Sequence, residues 1–371
     1  MTRDDDERWM RAALSLGRRG LGNVWPNPAV GAVVVRDGRV VGRGWTQPGG
    51  RPHAEAVALR AAGPRAKGAT AYVTLEPCAH HGRTPPCADA LAAAGIVRVV
   101  TALGDPDPRV SGRGHARLRE AGIEVRTGVL AAEAARDQWG FLSRIRRGRP
   151  MVTLKLATSL DGRIALASGE SRWITGPEAR RRVHLLRAMH DAVMVGGGTA
   201  RADDPSLTVR GLGIDRQPVR VVLSSRLDLP LDGQLAATAR DVPVWLVHGP
   251  SATPAVRAAW EGLGATCIEV PELPGRGLSP DAAMAALGKA GMTRVLCEGG
   301  GGLAASLLGA GLVDRLVTFS AGIVIGGDGR PATGPLGLDR LAEAPAFELA
   351  SAEVVGKDVM TVWQSPRPPL D

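Results

Sequence analysis

Four residues of this chain could do chemistry together: His53, Glu55, Cys78 and Cys87. An imidazole and two thiolates offer one nitrogen and two sulfurs to a metal. They leave the fourth tetrahedral position to water, the arrangement of a catalytic zinc rather than a closed structural one. Glu55, two residues past His53, is not needed as a ligand. It is placed to take a proton from the water and give it to a leaving amine. Any one of these residues alone reads more simply as a buried cysteine or a helix-cap histidine. The four in this order favour the metal.

His-x-Glu followed by Pro77-Cys78 and Pro86-Cys87 matches the signature of zinc nucleobase deaminases. The spacing departs from it, because eight residues rather than two part the cysteines. His80 and His81 fall in that gap and could replace a cysteine or contact substrate.

The neighbouring elements must position these groups. Residues 69–75 read as a buried strand ending just before Cys78, and 87–95 as a helix with a glycine stop. A cysteine that opens a helix has its thiolate stabilised by free amides and the dipole. Positions i and i+2 do not share a helix face. His53 and Glu55 therefore reach one metal only from a first turn, with the metal beyond the helix end.

Upstream, a helix is expected from Trp9 to Arg18, with its apolar stripe at Met10, Ala13, Leu14 and Gly17. Strands at 30–35 and 39–44 join at Asp37-Gly38, a hairpin signal. Strands at 97–101 and 123–125 flank a helix at 114–121, completing a three-layer α/β/α sandwich. Residues 142–150, rich in arginine, read as a solvated connector.

The second half restarts with a strand at 151–157, a helix at 177–187 and a strand at 192–195. Further strands follow at 219–223, 242–247, 266–270, 294–297 and 316–320, then a strand pair within 347–363. Domains of 1–147 and 148–371 are expected. Gly196-Gly197-Gly198-Thr199 and Glu298-Gly299-Gly300-Gly301-Gly302 each follow a strand. Strand, glycines, helix is a phosphate-cradling order. The second run sits too late in its domain for a true Rossmann fold. Cys267 and Cys297 read as buried packing.

The chain has 371 residues, 44% of them hydrophobic, enough for two cores. No apolar run is long enough to span a bilayer, and the acidic start carries no signal segment, so a cytoplasmic protein is expected. The net charge of +9 is scattered and aromatic content is 3%, which leaves few stacking platforms for nucleic acid. A phosphorylated small molecule fits the charge, and no nucleic acid or membrane partner is expected.

Over residues 8–365 the chain resembles the bifunctional riboflavin-biosynthesis deaminase/reductase family, diaminohydroxyphosphoribosylaminopyrimidine deaminase joined to 5-amino-6-(5-phosphoribosylamino)uracil reductase. The motifs are Pro26-Asn27-Pro28-x-Val30-Gly31, His53-Ala54-Glu55 and the string from Thr74 to Cys87, whose eight-residue gap is the family's own form. The later motifs are Leu154-Lys155-x-Ala157-x-Ser159-Leu160-Asp161-Gly162, Trp173-Ile174-Thr175, Asp203-Asp204-Pro205-x-Leu207-Thr208-Val209-Arg210 and Glu298-Gly299-Gly300.

The resemblance implies a cytidine-deaminase-like first domain and a dihydrofolate-reductase-like α/β second domain. It implies one zinc per chain on His53, Cys78 and Cys87, with Glu55 as proton shuttle. Ala157, Trp173, Thr199, Asp203, Ser225, Gly300, Gly301, Gly302, Leu303, Ala304, Ala305 and Ser306 match NADPH positions. Ser171, Arg187, Leu207, Arg210 and Glu298 match substrate positions, with both arginines expected on the phosphate. Gly301 and Gly302 stand where many relatives carry proline or a polar residue. Amide contacts survive that change; side-chain contacts do not. Lys155 is expected near the reacting ribose or in an ion pair with Asp161 or another acid. A homo-oligomer is expected.

Overall fold

A computed structural model describes residues 3–79, 85–108, 110–275 and 277–366. The described chain divides after Arg147 into two compact units.

The first unit contains α1 (Arg3–Gly17), β1 (Gly31–Arg36), β2 (Arg39–Trp45), α2 (Ala54–Ala62), β3 (Thr70–Val73), α3 (Cys87–Ala93), β4 (Arg98–Thr101), α4 (Arg113–Glu120), β5 (Glu124–Arg126) and α5 (Ala131–Arg147). The sheet order is β2-β1-β3-β4-β5, antiparallel at the β1–β2 and β1–β3 pairs and parallel beyond. Asp37 and Gly38 both take positive φ, 49° and 70°, as a type I′ hairpin requires.

Alternation along β1 builds the layers. Ala32 and Val34 pack with Ala54, Ala58 and Ala62 of α2 and with Leu91 of α3. Val33 and Val35 point the other way, against Met10, Ala13 and Leu14 of α1. The helices lie close to the sheet because glycine faces them. A Cβ on Gly31 would strike the Ala13 carbonyl, and one on Gly44 the Ala54 carbonyl.

Two expectations change here. α1 begins at Arg3 rather than Trp9, and its stripe extends back to a buried Asp6. The carboxylate of Asp6 accepts from Tyr72 Oη at 2.9 Å and from Arg98 at 2.8 and 2.9 Å. Residues 142–147 are not a connector but the last turns of α5, with Phe141, Leu142 and Ser143 buried. Arg144, Arg146 and Arg147 mask a buried face in which Trp139, Phe141 and Leu142 are interleaved with Ala134, Ala135, Gln138 and Ser143.

The second unit contains β6 (Met151–Ser159), β7 (Arg163–Ala165), α6 (Pro177–Ala188), β8 (Ala192–Gly196), α7 (Gly197–Asp203), β9 (Val219–Leu223), α8 (Gln234–Ala237), β10 (Val244–His248), α9 (Pro254–Gly262) and β11 (Thr266–Glu269). Then come β12 (Glu272–Leu273), β13 (Gly277–Leu278), α10 (Pro280–Lys289), β14 (Arg294–Cys297), α11 (Gly301–Gly309), β15 (Arg315–Ala321), β16 (Arg330–Pro331), β17 (Glu348–Val355) and β18 (Asp358–Gln364).

Its main sheet has nine strands in the order β11-β10-β9-β8-β14-β6-β15-β18-β17. The pairs from β11 to β15 are parallel, and the C-terminal hairpin is added antiparallel. The chain runs outward from β6 through β8 to β11, then returns to insert β14 between β8 and β6. Such a reversal opens a crevice at the carboxyl ends of the strands, where ligands of open α/β sheets bind.

Candidate active sites

In the first unit, β3 and the segment after it deliver Cys78, while α3 begins at Cys87. His53 caps α2 in extended conformation, φ −67° and ψ 159°, and Glu55 is in the first turn. The metal-side arrangement expected of an i, i+2 pair is thus the one found. His53 Nδ1 lies 3.7 Å from Cys78 Sγ and 3.4 Å from Cys87 Sγ. The three donor atoms all fall within 4.8 Å of one another. The Cys87 amide donates to Cys78 Sγ at 3.3 Å, and the Ala88 amide to the Cys78 carbonyl at 3.2 Å. The opening turn of α3 therefore lies against Cys78. His80 and His81, weighed above as ligands, lie outside the described residues.

The electrostatics suit a cation. The Cys87 thiol donating to it, helped by His53 and the Cys87 amide, pushes the Cys78 thiol down to about 4. The neighbouring Cys78 sulfur, and then burial, push Cys87 up. The two sulfurs share a proton that a metal would displace. Contact with Cys78 raises His53. Glu55 is 5% exposed, and burial raises its carboxyl above the usual range, as suits a group that must hold and release a proton. Two sulfurs and one imidazole around a common point, with a buried acid alongside, fit zinc with an open position.

A cavity of about 220 Å³ lies over these groups. Asn27, Arg51, Glu76, Asp105, Asp107 and Arg144 also line it. Asn27 and Glu76 fall within motifs quoted above, but none of the six was given a role in the sequence. Asp105-Pro106-Asp107 follows β4 as the Cys78 segment follows β3, and parallel strand ends on one edge were the available signal.

In the second unit, the β14–β6 register ends with Cys297 opposite Leu154. One step further, Glu298 stands beside Lys155. Burial lowers Lys155, and Glu298 opposes that effect. Asp161, the other candidate partner for Lys155, is engaged elsewhere. Its carboxylate accepts from Ser159 Oγ at 2.6 Å and from the Ile325 and Gly326 amides at 3.1 and 2.7 Å.

Arg187 Nε and Nη2 donate to Glu298 at 2.7 and 2.9 Å, and Nη1 donates to the Thr208 carbonyl at 2.8 Å. The fork expected on phosphate faces a carboxylate, which leaves Arg187 fewer donors for an anion. Arg210 is exposed, with its amide on His184 Nδ1 at 3.2 Å. Leu207 is buried at φ 54°. Ser171 is half-buried outside regular structure.

The two glycine clusters meet. The Gly300 amide donates to Thr199 Oγ1 at 3.0 Å, joining the start of α11 to the first turn of α7. A Cβ on Gly299 would stand 2.8 Å from Leu303 Cδ2, so Leu303 packs beneath the loops. Ala304 turns into the core, while Gly302 and Ser306 are exposed and Gly301 and Ala305 half-buried. Ala157 is half-buried on β6, next to Phe319 and Val317 of β15. Trp173 is 70% exposed, with the Arg180 guanidinium 4.5 Å over its ring. Asp203 ends α7, and its carbonyl accepts from Arg172 Nη2 at 3.2 Å. Ser225 sits past β9, and its carbonyl accepts from the Gly249 amide at 3.0 Å, on the β10 side of the crevice. Cys297 is buried and its thiol pushed up to about 12 by burial, which fits packing. Cys267 is half-buried.

The fold and the two sites define a two-unit enzyme, a zinc nucleobase deaminase followed by an α/β reductase. Residues 3–103 match the cytidine and deoxycytidylate deaminase zinc-binding region, and residues 150–361 match the RibD C-terminal domain. The chain is 47% identical to the riboflavin biosynthesis protein RibD of Escherichia coli over 360 residues, 95% of this chain and 98% of that one. It is 40% identical to RibD of Aquifex aeolicus, over 98% of this chain and 99% of that one. Among solved structures, Acinetobacter baumannii RibD superposes with a TM-score of 0.88 at 39% identity, covering 99% of this chain and all of that one. The Thermotoga maritima diaminohydroxyphosphoribosylaminopyrimidine deaminase/5-amino-6-(5-phosphoribosylamino)uracil reductase gives 0.85 at 33%, covering 98% of this chain. The chain belongs to the RibD family, bifunctional enzymes of riboflavin biosynthesis that carry a zinc deaminase and an NADPH-dependent reductase.

Proposed function

We propose that residues 1–147 hydrolytically deaminate 2,5-diamino-6-ribosylamino-4(3H)-pyrimidinone 5′-phosphate. Residues 148–371 then reduce the ribosyl group to ribityl, giving 5-amino-6-(5-phosphoribitylamino)uracil. The observation that carries this reading is the His53–Cys78–Cys87 triad with Glu55 in the next helix turn.

His53, Cys78 and Cys87 hold the zinc. Zinc held there supplies the Lewis acidity that makes water nucleophilic near neutral pH. Glu55 takes the first proton of that water and gives it to the ring nitrogen. It then takes the second from the hydroxyl that attack leaves on the ring carbon, and gives it to the departing ammonia as the carbonyl forms. Its burial favours the protonated form between these transfers. In the reductase, NADPH supplies the hydride. The amides at the start of α11 and the Thr199 turn hold its phosphates, and Trp173, Asp203 and Ser225 border it. Glu298 fixes Arg187, and with Lys155 they frame the ribose; Arg210, exposed at the rim, meets the 5′-phosphate. Ser171 and Leu207 complete that wall.

The same reading places the enzyme in the cytoplasm, where NADPH and phosphorylated intermediates are found. It makes the protein a homo-oligomer: the edge strand β17 leaves Leu349 56% and Val354 80% exposed, an apolar edge that a second chain would cover. Among the described residues, no helix is long and apolar enough to cross a membrane.

The test is a two-step assay with a zinc count. Ammonia release from the diaminopyrimidinone phosphate, followed by oxidation of NADPH at 340 nm on the deaminated product, is the expected result. A chain that binds one zinc but does neither would overturn the reading.

A further inference from the structure

Glu76 lies two residues before Cys78, is 4% exposed, and carries no role in the chemistry above. Its carboxylate is surrounded by backbone amides. Oε2 accepts from Asp105 N at 3.2 Å and Gly112 N at 3.0 Å; Oε1 accepts from Gly114 N at 2.9 Å and His115 N at 3.1 Å. A carboxylate has about four lone-pair positions, so this acceptor is full. Gly112 caps α4, and Gly114 and His115 are in its first turn, where amides lack intrahelical partners. A side chain from the zinc-ligand segment thus does the capping that α4 does not do for itself.

The consequence reaches the cavity. Asp105, Asp107 and Val110 line it together with Cys78 and Glu55. Asp105 is held by Glu76 through its amide, and its Oδ1 in turn accepts from the Asp107 amide at 2.9 Å. The Asp107 carbonyl then accepts from the Val110 amide at 2.8 Å. The wall is therefore a chain of bonds hanging from one carboxylate. The approach is close on the other side too: a Cβ on Gly114 would strike the Pro77 carbonyl.

We propose that Glu76 is a positioning residue for deamination: its carboxylate fastens the wall of Asp105, Asp107 and Val110 and the start of α4 to the segment carrying Cys78, and so sets the gap in which the ring meets Glu55. The inference rests on the deaminase reading of this cavity.

The test is Glu76→Gln in the full chain. The glutamine keeps the volume but turns an NH2 toward two amide donors, so two of the four bonds are lost and the wall moves. A misplacement of this kind raises KM for the diaminopyrimidinone phosphate roughly tenfold or more. Zinc per chain stays at the wild-type value, and so does NADPH-dependent reduction of pre-deaminated substrate. In an Asp105→Ala background, where the bond from the Asp107 amide to Oδ1 is lost, the same substitution adds little, because the wall is already slack. Should Glu76→Gln fail to accumulate as folded protein, Glu76→Asp, which keeps the charge and withdraws it by one methylene, raises KM in the same direction. Unchanged KM, zinc loss in step with activity, or additive effects with Asp105→Ala would each overturn the proposal. A wild-type chain that neither holds zinc nor releases ammonia would instead remove the deaminase reading on which it rests.

Discussion

The carboxylate of Glu298 grips the guanidinium of Arg187 through two parallel hydrogen bonds, 2.7 and 2.9 Å long, with both side chains almost wholly out of solvent. Burial alone would raise Glu298, but the charge and hydrogen bonds of Arg187 hold it down to about 2. A buried pair of this kind is costly to break from one side, about 3–5 kcal/mol, because the surviving charge is left without a partner. Glu298→Gln is therefore expected to lower the stability of the C-terminal unit by a few kcal/mol. It should also abolish most NADPH-dependent activity while ammonia release continues. Denaturant unfolding and the 340 nm assay check the two effects separately.

The same pair fixes a pH dependence. A carboxyl lowered on folding contributes stability that is full above its unfolded value and lost as pH falls toward the folded one. For Glu298 the loss runs from about 4.5 down to about 2. Unfolding measured from pH 6 to 2.5 should show the wild type losing its advantage over Glu298→Gln within that window. A constant difference across the range would mean that the pair does not carry the stability.

Glu55, proposed above as the acid-base group, lies outside the His53–Cys78–Cys87 set. Glu55→Gln should keep one zinc per chain and lose ammonia release by about 10²–10⁴-fold, the range of general acid-base catalysis. Cys87→Ser, or treatment with a chelator, should remove zinc and ammonia release together. Reduction of pre-deaminated substrate should persist in all three samples. Zinc by atomic absorption beside the two activity assays separates these outcomes.

The zinc centre was legible because its signal is short: a strand end, a helix start and four residue types at fixed spacing. The reductase was legible as two strand-glycine-helix runs, but not their meeting. Only the return of β14 between β8 and β6 brings the Gly300 amide to Thr199 Oγ1, and that insertion leaves no mark in local sequence. Arg187 was read as a phosphate ligand because an arginine on a helix carries no sign of its partner. Glu298, more than a hundred residues on, is set opposite it by the sheet order. Glu76 was quoted within a motif without a role, since its partners are backbone amides, which every residue has. Residues 142–147 read as a connector because the arginines crowd the last turns of α5, while its buried Trp139, Phe141 and Leu142 are interleaved with alanine, glutamine, glycine and serine and so give a weak period.

Asp6 shows the same blindness at the start of the chain. Of three consecutive aspartates in the acidic start, the third is 0% exposed, between Tyr72 and the guanidinium of Arg98, with Arg126 also in contact. Despite the desolvation of burial, Arg98 and Tyr72 hold its carboxyl below the usual range. Asp6→Ala would strand a half-buried cation and a buried phenol, so a loss of about 3 kcal/mol or more is expected. Asp4→Ala, on an exposed position of the same turn of α1, serves as control and should change stability little. Thermal melts of the two variants decide whether the carboxylate or the general acidity of the segment matters.

Gly301 and Gly302 differ in what surrounds them, and that difference separates fold from cofactor contact. A Cβ on Gly301 would lie 3.0 Å from the Pro331 carbonyl and 3.2 Å from the Gly334 amide, whose hydrogen goes to the Gly301 carbonyl. A Cβ on Gly302 would meet nothing within 4 Å. Gly301→Ala must therefore push residues 331–334 away from the head of α11. The amides there are the ones assigned to the cofactor phosphates, so KM for NADPH should rise severalfold with deamination untouched. Gly302→Ala replaces a flexible residue in the first turn of a helix and should stabilise the unit by roughly 0.5–1 kcal/mol. If the amides alone make the contact, its KM for NADPH stays at the wild-type value. A rise in KM from Gly302→Ala as large as that from Gly301→Ala would show that the cofactor lies against the open face of the turn, and that bare space at residue 302, rather than the amide geometry behind Gly301, is what this chain supplies.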